Sequence, residues 1–268
     1  MTTLTILRAG PLTTLQDSGR FGMLRHGISA SGPMDRGAFA AAGAALPIPG
    51  TTSIEFTQGL AFEVDGPLAI ATPAVQQLKA GDRVDLPPAS GNYGYVRFDR
   101  EMDIAPVLGS RSTNVTVGLG GYKGRALKAG DRIVFAGEGR PEPAGPLPAP
   151  GDGPLRVIWG IHADLFEPEL RERFTTSAFR VTTSLDRMGV KLEDPAGIFQ
   201  DQRRLSLVSD AIVPGDIQIL GDGTPIVLMR DHQPTGGYPR IATIVSADLD
   251  RFAQMRPGTA VIFRPVDR

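Results

Sequence analysis

One short pattern returns along the chain and limits the folds open to it. Residues 78–86 read LKAGDRVDL, 127–135 read LKAGDRIVF and 255–263 read MRPGTAVIF, with a looser copy, VPGDIQIL, at 213–220. In each, a glycine turn feeds a strand of alternating, largely β-branched residues. Repetition of turn and strand at such spacing points to closed or nearly closed all-β barrels. The copies read as structural, with no chemistry required of them.

Other stretches fit the same architecture. Strand patterns cover 3–7, 12–15, 53–57, 61–64 and 68–71, separated by Gly10, Pro11, Gly59 and Gly66, and later 155–159, 179–183, 190–192 and 225–229. Few helices are expected, and they are short. Residues 36–46 are alanine-rich and suited to close packing on a sheet. A second helix is expected from Ala163 or Asp164 through Glu172 or Phe174, and one or two turns over 248–254. Residues 136–154 carry six prolines and no apolar periodicity, so they read as semi-extended. The expected organisation is therefore a first β domain over 1–140, a Pro-rich linker over 141–154 and a second β domain over 155–268.

Composition removes several classes of function. Cysteine is absent, which excludes disulfides, thiol nucleophiles and thiolate zinc sites. Net charge is −1 and the isoelectric point about 6.3, with no cluster of Lys or Arg to track phosphates, so nucleic acid is not an expected partner. The start, MTTLTILRAG, lacks a basic region followed by an apolar core, and no continuous apolar run is long enough to span a bilayer. The expectation is a cytoplasmic protein with no membrane partner. His162 reads as a local hydrogen-bonding residue, since no second ligand falls at metal-binding spacing, and no metal site is expected.

The densest polar stretch is 228–245, LMRDHQPTGGYPRIATIV. A strand runs into Asp231, Gln233 and Thr235, then into Gly236, Gly237 and Tyr238, gathering many hydrogen-bonding groups at one strand end. The paired glycines permit positive φ or a close approach by a ligand or another backbone. A decorated hairpin turn is the alternative. Arg111, flanked by Ser110, Ser112 and Thr113, suits a carboxylate or carbonyl oxygen, or equally a bridge between two loops. Asp35 stands where a carboxylate caps the helix at 36–46, with a binding role as the alternative. Arg187 is a second arginine in a polar loop before a strand. The glycines at 118–124 match neither the phosphate-loop nor the dinucleotide template.

Together these residues resemble a family of biotin-dependent carboxyltransferases that includes the 5-oxoprolinase C subunit, the KipA-like proteins and the second half of the urea carboxylase carboxyltransferase domain. The matching segments are LTTLQDSGRFG at 12–22, SGPMDR at 31–36, PVLGSRST at 106–113, GLGGYKGRALKAGD at 118–131, SLDRMGVKL at 184–192, VPGDIQI at 213–219 and DHQPTGGYPRIATIVSADL at 231–249. They cover most of the chain in consistent order. The resemblance implies a mainly β protein of two cyclophilin-like β-barrel domains with a few short helices. It also implies a hydrolase working as a hetero-oligomer with two further 5-oxoprolinase components, a KipI-like B subunit, and with it a LamB-like A subunit. That complex opens the lactam 5-oxo-L-proline to L-glutamate with ATP, which would be bound at the level of the complex because no ATP motif is visible here.

Two other readings follow from the same resemblance. One is a carboxyltransferase acting on urea or a related amide, with biotin carried by another protein. The other is a non-catalytic, KipA-like regulatory module. In the enzymatic readings Arg111 and Arg187 would hold anionic oxygens, Asp231 would accept from the substrate N–H, and Gly236 and Gly237 would offer backbone donors, with Asp35, Gln233, Thr235 and Tyr238 completing the substrate site. The chain departs from the family at Gly43, where relatives carry Asn after the alanine-rich helix. It departs again at 98–102, FDREM, where they have an Ala-Gly-Gly turn, and in a shortened stretch at 69–78. These departures are expected in loops near the cleft.

Overall fold

The computed structural model describes residues 1–72, 74–139, 151–200 and 207–267. Residues 141–150 of the expected linker lie outside them. The chain divides into two compact units, one of Met1–Gly22 with Ala30–Leu147, the other of Met23–Ser29 with Pro148–Arg268. Both are mainly β. Among the described residues no helix is long and apolar enough to cross a membrane.

The first unit contains β1 (Thr2–Ala9), β2 (Thr14–Gln16), α1 (Arg36–Ala44), β3 (Ser53–Phe56), β4 (Leu60–Val64) and β5 (Leu68–Thr72). It continues with β6 (Ala74–Leu78), β7 (Arg83–Leu86), β8 (Gly94–Phe98), β9 (Arg100–Met102) and β10 (Arg132–Glu138). Two five-stranded sheets result, ordered β7-β4-β1-β10-β9 and β2-β3-β8-β5-β6. The core gathers Leu4, Ile6, Ile54, Phe62, Ile70, Val96, Phe98 and Phe135. Residues 98–102, expected in a loop, supply a strand instead: Met102 pairs with Phe135, and Glu101 with Gly137. Met102 is buried, so one apolar side chain in a charged run was enough to anchor an edge strand.

In the second unit, β11 (Leu155–Trp159) precedes α2 (Pro168–Thr176), and β12 (Phe179–Leu185), β13 (Gly189–Glu193), β14 (Asp210–Ala211), β15 (Asp216–Ile219) and β16 (Pro225–Leu228) follow. After these come β17 (Thr235–Gly236), β18 (Arg240–Ile244), α3 (Ser246–Ala253), β19 (Ala260–Val261) and β20 (Phe263–Pro265). An eight-stranded sheet runs β19-β12-β13-β16-β15-β18-β11-β20, and β14 pairs with β17 apart from it. Its two end strands are separated only by Ile262, and β20 lies parallel to β11 with Phe263 opposite Leu155, so the sheet forms a nearly closed barrel. Phe174 stacks on Phe263 with centroids 5.0 Å apart. Phe179 and Phe199 extend that aromatic core.

The helix expected from Ala163 is broken in two. A single 3₁₀ turn spans Ala163–Leu165, Phe166 is extended, and α2 starts at Pro168. Proline lacks the N–H that a continuing helix needs and holds the residue before it extended, but it fits the first helical turn.

The repeated pattern has one physical basis. Lys79 N–H donates to Asp82 Oδ2 at 3.0 Å, Lys128 N–H to Asp131 Oδ2 at 2.8 Å and Val213 N–H to Asp216 Oδ2 at 3.0 Å. The glycines before these aspartates, Gly81, Gly130 and Gly215, have φ of 88°, 87° and 96°, a left-handed geometry that other residues adopt only under strain. In the last copy Thr259 replaces the aspartate. Gly258 keeps φ at 88°, and Thr259 N–H donates to the Arg256 carbonyl at 3.0 Å, the same backbone bond that Asp82, Asp131 and Asp216 make in the other copies.

Candidate functional site

In the first unit the polar groups converge on Asp17. Its carboxylate accepts from Ser110 Oγ at 2.6 Å, Ser112 Oγ at 2.7 Å, Arg111 N–H at 2.5 Å and Gly19 N–H at 2.9 Å. Burial works to raise its pKa, but these bonds outweigh it and hold the carboxyl below the usual value. The buried Arg20 donates to Ser31 Oγ and to the Ser112 carbonyl. Asp17 thus ties the loop after β2 to residues 110–112.

Arg111 is the half-open member of this group. Its Nε donates to the Ile104 carbonyl at 2.6 Å, and its Nη1 lies 3.8 Å from Glu101 Oε2. Glu101 also accepts from Thr51 N–H at 2.8 Å and Thr51 Oγ1 at 3.1 Å. Arg111 therefore bridges loops, while its side chain, 25% exposed, borders a cavity of about 680 Å³ with Thr51 and Glu101. Asp35 caps α1, accepting from Ala38 N–H at 2.8 Å. Its own N–H donates to Tyr95 Oη at 2.8 Å, and Tyr95 donates to Glu55 at 2.7 Å. Burial first, and Glu55 beside it second, push the Tyr95 phenol well above its ordinary value.

Gly43 lies inside α1 and is buried, not on a loop. A Cβ there would come within 2.8 Å of Arg97 Nη1. The buried Arg97 lies 4.0 Å from the Phe39 ring centroid and donates to the carbonyl oxygens of Gly50 at 2.7 Å and Phe39 at 3.3 Å. The missing side chain at 43 makes room for a guanidinium.

The second unit brings Arg187 and Asp231 together. Nε donates to Oδ2 at 2.8 Å and Nη2 to Oδ1 at 3.2 Å, with both side chains 3% exposed. Asp231 N–H also donates to the Arg187 carbonyl at 2.7 Å. The pair welds the turn before β13 to the end of β16. His232 Nδ1 lies 2.6 Å from the Gln233 carbonyl oxygen, and burial holds this imidazole below its usual pKa. Arg240 clamps β14: it donates to Asp210 Oδ2 at 2.6 Å and to the Ala211 carbonyl at 2.7 Å, and Nη1 lies 3.4 Å from Asp216. His162 Nδ1 accepts from Arg240 N–H at 3.3 Å. Burial, followed by the charge of Arg240, lowers the pKa of that imidazole.

Gly236 and Gly237 do not use positive φ. What they provide is room. A Cβ at 236 would lie 2.5 Å from Gln218 Nε2, and one at 237 would lie 2.8 Å from the Leu207 carbonyl. Thr235 and Gly236 pair with Ala211 and Asp210, and the Gly237 carbonyl accepts from Leu207 N–H at 2.8 Å.

Beside these elements lies a pocket of about 270 Å³. Lys191, Gln218, Ile226 and Leu228 come from β13, β15 and β16, with Gln233 and Tyr238 also lining it. The register places Ile226 opposite both Lys191 and Gln218. These side chains share one face of the sheet, while the alternate residues Val190, Ile217 and Val227 are buried as core. Gln233 and Tyr238 of the expected site reach this pocket. Arg187 and Asp231 do not line it, though Asp186 and Met188, the neighbours of Arg187, do.

Sequence reasoning overlooked Gln218, which belongs to the repeat copy read as purely structural. The signal was present: a glutamine between Ile217 and Ile219 falls on the face opposite the core. Gln218 is 1% exposed, and its Nε2 has no hydrogen-bond partner among the described residues.

A nearly closed β barrel with an amide-lined pocket on its sheet, preceded by a second β unit, has clear relatives. The chain belongs to the family described as carboxyltransferase domain, subdomain A and B, whose model matches residues 26–265. It is 34% identical to the 5-oxoprolinase C subunit of Escherichia coli, over 97% of this chain and 90% of that protein. The corresponding C subunit of Haemophilus influenzae is 31% identical over the same shares. Among solved structures, the urea carboxylase of Kluyveromyces lactis superposes with a TM-score of 0.86 at 25% identity, over 99% of this chain. The chain spans only 27% of that protein's length.

Proposed function

We infer that the chain is the C subunit of an ATP-dependent 5-oxoprolinase, opening 5-oxo-L-proline to L-glutamate together with its KipI-like B and LamB-like A subunits. The observation that carries this reading is the 34% identity to the C subunit of a 5-oxoprolinase, across 97% of the chain and 90% of the relative. The glycine-rich residues 118–124 support a division of labour within the complex. They fold as turns and do not open a helix, whereas a phosphate loop presents its N–H groups at a helix start. In this reading ATP is bound at the level of the complex, at a site shared with or supplied by the partner subunits. This chain contributes the substrate pocket beside Gln233 and Tyr238, with Arg187 and Asp231 fixing the loops that frame it. In the complex reconstituted from all three subunits, ATP-dependent glutamate formation from 5-oxo-L-proline is expected to require this chain. Turnover at an unchanged rate without it would overturn the reading.

The likeness to urea carboxylase supports a second reading, a carboxyltransferase acting on urea or a related amide with carboxybiotin carried by another protein. Inhibition of the complex by avidin distinguishes the two, because the 5-oxoprolinase reaction as proposed involves no biotin. Tight association with the KipI-like protein in the absence of either activity would point to the KipA-like regulatory role.

A further inference from the structure

The outer strands of the first unit's two sheets are not protected alike. A strand edge bares N–H and C=O groups that another strand can pair with, and charges, bulges or covering segments ordinarily block it. β7 carries Arg83 and Asp85, and β9 carries Arg100 and Glu101. β2 is buried, and Thr113 N–H donates to its Leu15 carbonyl at 2.8 Å. β6 has none of these devices within its length. It reads AVQQL, ends its sheet and is exposed from Ala74 to Gln77. It pairs with β5 from Leu68 opposite Leu78 to Thr72 opposite Ala74 without a register shift, so no bulge turns its free side away.

The same strand also carries apolar surface. Val75 and Gln77 stand opposite Ala71 and Ala69, two residues that cluster with Leu46 on one face of the sheet. Val75 is 43% exposed, and Gln77 borders a cavity of about 600 Å³ whose wall includes Ala69, Pro47 and the half-exposed Ile48. An antiparallel pair about a two-fold axis sets the central residue of a strand against its own copy, so a charged centre is repelled and a neutral one is not. The centre of β6 is Gln76, whose amide both donates and accepts. In that register Val75 meets Gln77 of the second copy, at the mouth of its cavity, and Ala74 meets Leu78. The nearest charges after the strand, the two copies of Lys79, fall at opposite ends, about 20 Å apart at the usual strand rise.

We propose that the protein self-associates through β6, two copies pairing antiparallel about a two-fold axis at Gln76 and joining their five-stranded sheets into one. Five residues of strand from each copy, with Val75 covered at both ends, make a small interface, so association in the micromolar range is expected. The assignment does not depend on which reaction the chain serves.

The test is made on the purified full chain. Sedimentation equilibrium from about 1 to about 300 μM, spanning a micromolar dissociation constant, is expected to show monomer passing to dimer and no larger species. Gln76→Lys, at an exposed position, sets two cations about 5 Å apart across the axis and is expected to raise the dissociation constant at least tenfold, with the melting temperature of the monomer unchanged. Gln76→Glu is expected to do the same, and an equimolar mixture of the two variants to associate, because opposite charges then meet. The chain has no cysteine, so an introduced thiol reports on its own position. Gln76→Cys is expected to form a disulfide-linked dimer on mild oxidation, since opposed residues of an antiparallel pair lie about 4.5–5.5 Å apart at Cα. Ala74→Cys, about 14 Å from its copy in this register, is expected to stay unlinked. A chain that remains monomeric throughout the range, a dimer indifferent to Gln76→Lys, or cross-linking as ready at Ala74 as at Gln76 would overturn the proposal. A monomeric chain that loses a partner subunit on Gln76→Lys gives the edge to that subunit and overturns it equally.

Discussion

Asp17 in the first unit and Gln218 in the second are both polar and both buried, at 7% and 1% exposure, yet their surroundings treat them in opposite ways. Asp17 meets four donors from two segments far apart in sequence. Gln218 leaves its amide donor unused among the described residues. A saturated buried group holds a fold together, and removing it strands its partners. An unsatisfied one carries its desolvation cost without compensation, so removing it costs the fold little. Burial alone therefore does not tell which polar groups hold the fold together.

The strongest way to break this contrast is to delete both groups. Asp17→Ala leaves several buried donors unpaired at about 1–3 kcal/mol each, so a loss of about 3 kcal/mol or more is expected in chemical denaturation of the first unit's transition. Gln218→Leu in the same assay should change stability little or raise it. Equal losses would erase the distinction.

Acid titration offers a second, smaller effect. Asp248, buried in α3, accepts from Arg156 Nε at 3.0 Å, Arg156 Nη2 at 2.7 Å, Arg156 N–H at 2.8 Å and Gly151 N–H at 2.9 Å. Burial opposes ionisation, but these bonds prevail and bring its pKa from 3.8 to about 2. A carboxyl whose pKa is lowered by folding stabilises the native state above its unfolded value, and that contribution disappears as pH falls through the folded value. The second unit should accordingly lose about 2 kcal/mol between pH 4 and pH 2, and Asp248→Asn should flatten that slope. Asp17, lowered in the same direction, should give the first unit a slope of the same sign, which Asp17→Asn removes.

The smallest effect concerns the family departure at Gly43. Alanine there gains helix propensity but presses on Arg97, and overpacking costs about 1–3 kcal/mol against a gain of about 1 kcal/mol. Gly43→Ala should thus destabilise by about 1 kcal/mol when followed by thermal melting. The same substitution at Gly236, where a Cβ would lie 2.5 Å from Gln218 Nε2, should destabilise the second unit by the same kind of overpacking.

Much of this could be read from the chain, and what escaped had a common cause. The glycine turns of the LKAGD copies and the Asp35 cap rest on contacts within a few residues, which sequence displays directly, and the strand at 155–159 shows in its own alternation. The break before Pro168 was also local, and the proline that causes it stands in the sequence. Strand β9 was missed because its anchor, Met102 opposite Phe135, joins residues far apart in the chain. For the same reason Arg187 and Asp231 looked like two independent ligand-binding groups when they are bonded to each other. Gly43 could be seen as a departure, but only the position of Arg97 explains it. Gln218 was hidden by its own repeat, whose regularity made each residue look structural.

The single residue between β19 and β20 has a bearing on how the protein is made. Ten strands of the first unit are complete by Glu138, and that unit can fold as its residues leave the ribosome. The barrel of the second unit draws both of its edges from one short segment, Ala260–Pro265. Until that segment emerges, β11 and β12 each present an open strand edge to any neighbouring nascent chain. The interval before Pro265 appears is when this protein most needs protection from aggregation.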